Sequence, residues 1–379
     1  MNTVTTLSHR RIDTFDLLRG YFLVVILIDH FARYPGIFDL FTGRGMLWVS
    51  AAEGFFIVSG IMVGLVRGNE AKRGEFVLAW KRLWKRALTI YIWSAVLILL
   101  FTAIGLMLTG NPGVKSGIAE SLSIATIIKT LTFQYSYGWA DFLPFYAVYI
   151  ALAPLALWLI HKRQAWLVAL IALIIWWYRG TNPFLAWQVV FFLGMIFGYY
   201  LTSFEQFFNT ISRQLKNIIL SVLYSLALIT LSISVAIKHI LPILSDYYNF
   251  GLSWVALIGN SLILLENLTN PWFEKWAVAP GRAGLALIWF AALYLIIRRH
   301  EPVIVKAVGN FFLPLGRDPL FVYGLESILV YLVAVTIIHP TNFFWNIIIN
   351  AVGVGLIWGM AVIWQKQRTY QRISQNSNQ

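Results

Sequence analysis

The chain consists mainly of long hydrophobic runs that are separated by short polar stretches. An α-helix rises 1.5 Å per residue, so about 20 hydrophobic residues cross a hydrocarbon core of ~30 Å. Ten runs approach or reach this length: 14–34, 46–66, 87–108, 142–161, 164–179, 184–201, 218–240, 283–298, 318–338 and 343–364. The pattern predicts an all-α, polytopic integral membrane protein with about ten transmembrane helices.

One further run, 251–265, is hydrophobic but shorter than a comfortable span, and the distribution of Lys and Arg decides how we interpret it. Cytoplasmic loops of membrane proteins carry an excess of these residues. If 251–265 does not cross, most of the Lys and Arg, including Arg298 and Arg299, fall on one side of the membrane. The charge bias therefore predicts ten spans with both termini in the cytoplasm, in a multi-pass protein of the inner (cytoplasmic) membrane.

The composition supports a membrane protein and excludes nucleic acid as a partner. Hydrophobic residues make up 59% of the chain and charged residues 12%, against about 25% charged in soluble proteins. The net charge of +13 comes from residues that flank the hydrophobic runs, as topology selection requires. There is no cysteine, and His239 and His339 at the predicted outer boundaries have no carboxylate in helical register, so we predict no metal.

The hydrophobic runs follow one another without a polar linker, so we interpret 1–365 as a single transmembrane domain. The remaining residues, 366–379, form a cytoplasmic polar tail. Its end, "QRISQNSNQ", has the polar composition of a disordered segment. The lipid bilayer is the predicted environment, and the sequence indicates no particular oligomeric state.

The first hydrophobic run contains Arg19 and an Asp29-His30 pair. Arg19 and His30 are eleven residues apart, close to three helical turns, so they share one face and lie about 16 Å apart along the axis. Asp16 precedes Arg19 by three residues and can pair with it, whereas Asp29 points about a quarter-turn away from His30. Ionisable residues inside a membrane are costly and commonly functional, although Arg19 and Asp16 could also form a purely structural ion pair.

The second run begins on the predicted outer side and carries Glu53 about two turns below its start. Because the first two helices are antiparallel neighbours joined outside, Glu53 and His30 lie at similar depths. Small residues in "SAAEGFFIVSGIMVG" let such helices approach closely. We therefore predict Glu53 as the partner of His30, in a functional site or in a buried structural hydrogen bond.

Several motifs in this order resemble a known family of membrane enzymes. "DLLRG", the spacing from Arg19 to His30, and "EGFFIVSG" are similar to the first two helices of the acyltransferase family 3 superfamily. "LPFYAVYIALAPLALW", "NPFLAWQVVFFLGMIFG" and "LGRDPLFVYG" resemble more closely the OpgC-type proteins, named for succinyl transfer to osmoregulated periplasmic glucans. The resemblance extends from about residue 10 to about residue 335.

The resemblance implies a ten-helix acyltransferase without a permanently bound cofactor. It would move an acyl group, succinyl or acetyl, from cytoplasmic acyl-CoA to a hydroxyl of an extracytoplasmic glycan. His30 matches the catalytic histidine, Arg19 the arginine of helix one and Glu53 the acidic residue of helix two. Arg317 and Asp318 belong to the "LGRDPLFVYG" match and are assigned to the acyl-CoA and substrate site.

Acyl transfer to a sugar needs a base beside the hydroxyl, and neutral His suits this role near pH 7. His30 is the predicted base, and Glu53 or, less favoured, Asp29 would orient its ring and stabilise the imidazolium. On the same stripe, Arg19 with its partner Asp16 could contact the pantetheine arm or a phosphate. The predicted substrate site also includes Arg282 and Glu326. A succinyl donor would need a cation near its free carboxylate, and three outer arginines are available without a choice between them: Arg33, Arg44 and Arg282.

A second hypothesis is a proton-coupled transporter or flippase of a glycan or another small molecule. Ionisable residues within the spans would then form a relay: Arg19, Asp29, His30, Glu53 and Glu326. Such residues occur in pumps as well as in acyltransferases. The sequence shows no clear inverted repeat, which counts against a transporter.

Overall fold

The computed structural model describes residues 13–31, 37–241, 253–337 and 342–377, and within these ranges its regular secondary structure is entirely helical. The helices are α1 (Asp13–Phe31), α2 (Asp39–Thr42), α3 (Ala51–Lys72), α4 (Phe76–Met107), α5 (Ile124–Leu131), α6 (Phe142–His161), α7 (Ala165–Trp177), α8 (Pro183–Thr210), α9 (Arg213–Val235), α10 (Ser253–Thr269), α11 (Pro280–Arg299), α12 (Glu301–Arg317), α13 (Pro319–Thr336) and α14 (Phe343–Ser377). Single turns of other helix types follow α2, α9 and α10.

Among the described residues, eight helices are long and apolar enough to cross a membrane: α3, α4, α6, α8, α9, α11, α13 and α14. Two further predicted runs also form helices. One is α1, which carries four charged residues, and the other is α7, an apolar helix of 13 residues. The structure therefore confirms the prediction of an all-α polytopic membrane protein, with a helix at each of the ten hydrophobic runs.

Two other predicted segments are also helical. The ambiguous run at 251–265 overlaps α10, which has 17 residues and is not among the candidate spans. The polar tail continues α14 as far as Ser377, so the prediction of disorder there is wrong up to that residue. The tail is rich in Gln and Arg, which have high helix propensity and extend the preceding helix.

The most extensive helix contact in the described part of the chain is between α3 and α8, where glycines on both helices replace side chains. A Cβ added to Gly60 or Gly64 would lie 2.0 Å from a backbone oxygen of α8. In return, a Cβ added to Gly198 would lie 2.1 Å from the Ile61 carbonyl oxygen. Small residues at i and i+4 let two backbones approach this closely in membranes. This contact fixes α3, and therefore Glu53, relative to the bundle.

The predicted outer loop before α6 packs inside the bundle. The Tyr135 hydroxyl lies 3.1 Å from the Thr102 hydroxyl on α4, and the Trp139 carbonyl accepts a hydrogen bond of 3.1 Å from the Ser327 hydroxyl on α13. Gly138 adopts φ +85° where its backbone passes the Phe101 ring, a conformation and an approach that suit glycine alone. The loop thereby brings Trp139 to the end of α1.

Candidate active site at the end of α1

His30 lies in the last turn of α1 and packs against the Trp139 ring. The two ring centroids are 4.9 Å apart and the rings are inclined by 57°. The Trp139 carbonyl accepts hydrogen bonds from the Tyr323 hydroxyl at 3.3 Å and from the Ser327 hydroxyl at 3.1 Å. Side chains of α13 therefore fix the loop that holds the imidazole ring.

Two lysines supply positive charge beside this histidine. The ammonium groups of Lys115 and Lys275 lie near enough to the His30 ring to act on it electrostatically. Lys115 Nζ lies 4.7 Å from the centroid of the Trp139 ring and donates a 3.0 Å hydrogen bond to the Gly138 carbonyl. Neither lysine is among the site residues predicted from the sequence. Their approach to His30 depends on loops whose paths no periodicity predicts.

Asp141 completes the polar surroundings of this loop, just before α6 begins. Its carboxylate lies 3.9 Å from Lys115 Nζ. Burial raises the pKa of Asp141, and the ammonium group of Lys115 opposes this effect. Asp141 is thus a carboxyl group that a neighbouring cation helps to keep ionised.

Glu53 has different partners from the one that the sequence analysis expected. Its Oε1 accepts a hydrogen bond of 2.5 Å from Arg282 Nε, and its Oε2 accepts from the Ser50 amide at 2.8 Å and the Ser50 hydroxyl at 2.6 Å. Glu53 is therefore bonded to Arg282 and Ser50 rather than to His30. The physical reason is a capping box: Ser50 and Glu53 close the first turn of α3, which fixes the carboxylate at the helix terminus.

Arg282 likewise contacts protein groups rather than open space. Its side chain is 3% exposed, and besides Glu53 it contacts the carbonyl oxygens of Leu47 and Phe273 at 3.5 and 3.2 Å. This guanidinium ties α11 to the segment before α3. An expected role in holding a succinyl carboxylate would require it to leave these partners.

Asp29 also has partners other than His30. Its carboxyl group lies near Thr42 on α2, and its Oδ2 is 3.3 Å from the position that a Cβ on Gly45 would occupy. Gly45 adopts φ +63° here. The adjacent residues Asp29 and His30 thus have different neighbours, as the predicted quarter-turn between them requires.

The remaining predicted site residues, apart from Glu326, lie away from this end of α1. Near its beginning, Arg19 pairs with Asp16 at 3.6 Å, as expected, and Arg317 Nη2 lies 3.8 Å from the Asp13 carboxylate. Asp318 accepts a 2.6 Å hydrogen bond from Arg368. Glu326 is 3% exposed within α13 and lies beside Ser327 and near Tyr323, which both donate to the Trp139 carbonyl. The structure therefore separates the predicted residues into two groups, one near each end of α1.

A narrow cavity runs beside α1 below His30. Its lining includes Ile26, which precedes His30 by one turn, together with Phe55, Tyr323 and Arg86. Its volume is about 20 Å³, which is room for about one water molecule. At the other end, Arg86 enters from the predicted cytoplasmic part of α4 and donates a 3.0 Å hydrogen bond to the Tyr146 hydroxyl. Arg86 is not among the site residues predicted from the sequence.

The fold and this arrangement define a polytopic helical membrane protein with a histidine held at the end of its first span. Comparison with known families then places the chain. The family model described as OpgC protein matches residues 10–369, so the chain belongs to the OpgC family. Membership points to a membrane transferase that modifies glucans. No curated protein and no solved structure matches the chain significantly.

Proposed function

We propose that the protein transfers an acyl group, succinyl or acetyl, from cytoplasmic acyl-CoA to a hydroxyl of an extracytoplasmic glycan, across the inner membrane. The observation that carries the proposal is the position of His30, which packs against the Trp139 ring one turn beyond Ile26. Ile26 lines the narrow cavity, and Arg86 lines the same cavity from the predicted cytoplasmic side. A candidate base and a cation on either side of this cavity suit an acceptor and a donor that approach from opposite sides of the membrane.

In this proposal His30 accepts the proton of the attacking glycan hydroxyl, because neutral imidazole is an effective base near pH 7. The Trp139 ring, rather than a carboxylate, orients the imidazole. As the hydroxyl oxygen attacks the thioester carbonyl, negative charge develops on the carbonyl oxygen. Lys115 and Lys275 are positioned to stabilise that charge or a free carboxylate on the acyl group. The C–S bond then breaks, and the CoA sulfur leaves as the thiol with the proton that the His30 imidazolium returns.

Arg86 is the candidate contact for the donor at the cytoplasmic end. A guanidinium can bind a phosphate or a carbonyl oxygen of acyl-CoA through several N–H groups. The cavity is too narrow for a pantetheine arm in this conformation. Acyl-CoA would therefore enter as the lining side chains, such as Phe55 and Tyr323, move apart. Arg19 and Asp16 would help to bind the donor from the same side of α1.

The test is a panel of radiolabelled acyl-CoAs offered to the purified protein with and without glucan. We expect thioester hydrolysis, or label transfer to glucan, that is lost in His30→Ala. His300→Ala is the matched control, because His300 is exposed at the start of α12. Full transfer by correctly folded His30→Ala would contradict the role of His30. Absence of turnover with every donor would favour the transporter hypothesis.

A further inference from the structure

A large groove, here called the lateral groove, lies on the other side of α1 from the narrow cavity. Its walls are α1, α9 and α11, and its volume is about 890 Å³. This lies near the upper end of the range of small-molecule sites, which is about 300–1,000 Å³. Most of the lining is hydrocarbon or aromatic, represented by Phe22, Val25, Leu231 and Phe290. Neither the family nor the acyl-transfer chemistry assigns this groove a ligand.

The groove extends along much of the membrane thickness. On α9 and the turn that follows it, the lining runs from Tyr224 to His239, which at 1.5 Å per residue is about 22 Å. One leaflet of a hydrocarbon core is about half of ~30 Å. Two hydrogen bonds attach α9 to the rest of the bundle, from Trp289 Nε1 to the Thr230 hydroxyl at 2.9 Å and from the Trp48 amide to the Ser234 hydroxyl at 2.9 Å. An acyl chain of an outer-leaflet lipid therefore fits the length and the chemistry of the groove.

The predicted outer mouth of the groove is polar and mainly cationic. Arg44, Lys238 and His239 line it together with the carboxylate of Asp39. Lys238 also donates to Glu266 at 2.8 Å, and Arg44 Nε lies 3.6 Å from Asp39. His239 Nε2 is buried and has no hydrogen-bond partner within the described part of the chain. A phosphate at this mouth would accept from His239 and from the remaining N–H groups of Arg44.

Backbone geometry places the arginine at the mouth. Arg44 adopts φ +52° between two glycines that also have positive φ. A side chain in this left-handed conformation is uncommon and is strained, and such strain occurs at ligand sites. From these observations we infer that the lateral groove binds one phospholipid of the outer leaflet. An acyl chain of this lipid lies between α1, α9 and α11, and its phosphate lies at Arg44 and His239.

The test uses the full-length protein and a phosphatidylglycerol that carries a photoreactive diazirine in its acyl chain. In vesicles of phosphatidylglycerol and phosphatidylethanolamine, we expect cross-links on the groove side of α9, at residues such as Ala227 and Leu231. The opposite, exposed side, for example Val222 and Ile229, should label less. Even labelling around α9 would overturn the inference.

Two matched variants test the groove independently. Ala227→Trp places a large ring inside it, whereas Ile229→Trp adds the same ring on the exposed side of the same helix. We expect native mass spectrometry of the detergent-purified wild type and Ile229→Trp to show a retained phospholipid. Retention should fall about tenfold or more in Ala227→Trp. Equal retention in the two variants, or no retained phospholipid in the wild type, would overturn the inference.

The headgroup contact has its own measurement, which remains valid if Ala227→Trp does not fold. A photoreactive diacylglycerol with the same acyl chain lacks the phosphate. We expect the wild type to cross-link the phospholipid in preference to the diacylglycerol, and His239→Phe to lose much of this preference. Equal cross-linking of both probes by the wild type would overturn the phosphate contact.

Discussion

The buried Glu53–Arg282 pair is expected to be a main contributor to the stability of the outer half of the bundle. Glu53 is fully buried and Arg282 is 3% exposed. Glu53 accepts three hydrogen bonds, from Arg282 and from the amide and hydroxyl of Ser50. Glu53→Ala removes all three and leaves a buried guanidinium without its carboxylate.

Removal of one partner from a buried ion pair costs about 3–5 kcal/mol. At about 2 °C per kcal/mol for a chain of this size, Glu53→Ala should lower the apparent Tm by about 6–10 °C. The assay is thermal unfolding in a mild detergent, followed by tryptophan fluorescence at a fixed scan rate. The matched control is Glu75→Ala, because the Arg73–Glu75 pair is exposed at 47% and 43%. Such a surface pair contributes about 0–1 kcal/mol.

The double variant Glu53→Met with Arg282→Met separates a buried-charge effect from a packing effect. Both charges are then replaced by apolar chains of similar length. We expect it to recover much of the stability that Glu53→Ala loses, because no uncompensated charge remains in the bundle. The reasoning is refuted if Glu53→Ala unfolds at the temperature of Glu75→Ala, or if the double variant is no more stable than Glu53→Ala.

Three further predictions address helix packing, the lysine beside His30 and the loop carboxyl group. Gly64→Ala should lower the free energy of unfolding by about 1–3 kcal/mol, because its Cβ would lie 2.0 Å from the Met195 oxygen. The control Gly359→Ala faces open space and should keep or raise the Tm. Equal Tm values for the two variants would contradict this prediction. Lys115→Gln should reduce acyl transfer while Lys129→Gln, exposed on α5, should not, and equal rates would argue against a role for Lys115. Burial raises the pKa of Asp141, so the folded protein binds this proton more tightly than the unfolded chain. The protonated Asp141 therefore stabilises the fold in acid, and this stabilisation is lost as the pH rises through the raised pKa. The wild type should therefore lose more Tm across this window than Asp141→Asn, and parallel profiles would contradict this.

Hydropathy predicts the helices well because the membrane imposes one length scale on all of them. The run at 142–161 coincides with α6 at both ends. The observed helix ends differ from the predicted ones where polar residues extend a helix beyond the hydrocarbon core. One example is α4, which begins at Phe76, eleven residues before the hydrophobic run that predicted it. Charge and hydropathy therefore locate spans, while local propensity decides how far each helix continues.

The pairing at the site was less predictable because depth along a helix does not determine which neighbour a side chain meets. Glu53 and His30 were expected to pair from depth alone. The sequence did contain a signal for the observed arrangement, since Ser50 and Glu53 have the spacing of a capping box. Arg282, by contrast, is 229 residues away from Glu53 along the chain, and only the tertiary packing of α11 against α3 brings it there. The same holds for Trp139, which reaches His30 through an irregular loop.

The Asp29-His30 dipeptide places one polar residue above each of the two internal spaces. One turn below His30 is Ile26, which lines the narrow cavity, and one turn below Asp29 is Val25, which lines the lateral groove. Adjacent helical residues differ in direction by about 100°, so a single helix can border two spaces that do not merge. A lipid in the groove and an acyl donor in the cavity would therefore not compete for volume. The helix α3 also borders both spaces, because Gly54 lines the groove and Phe55 lines the cavity. An effect of the lipid on acyl transfer would therefore pass through α1 and α3.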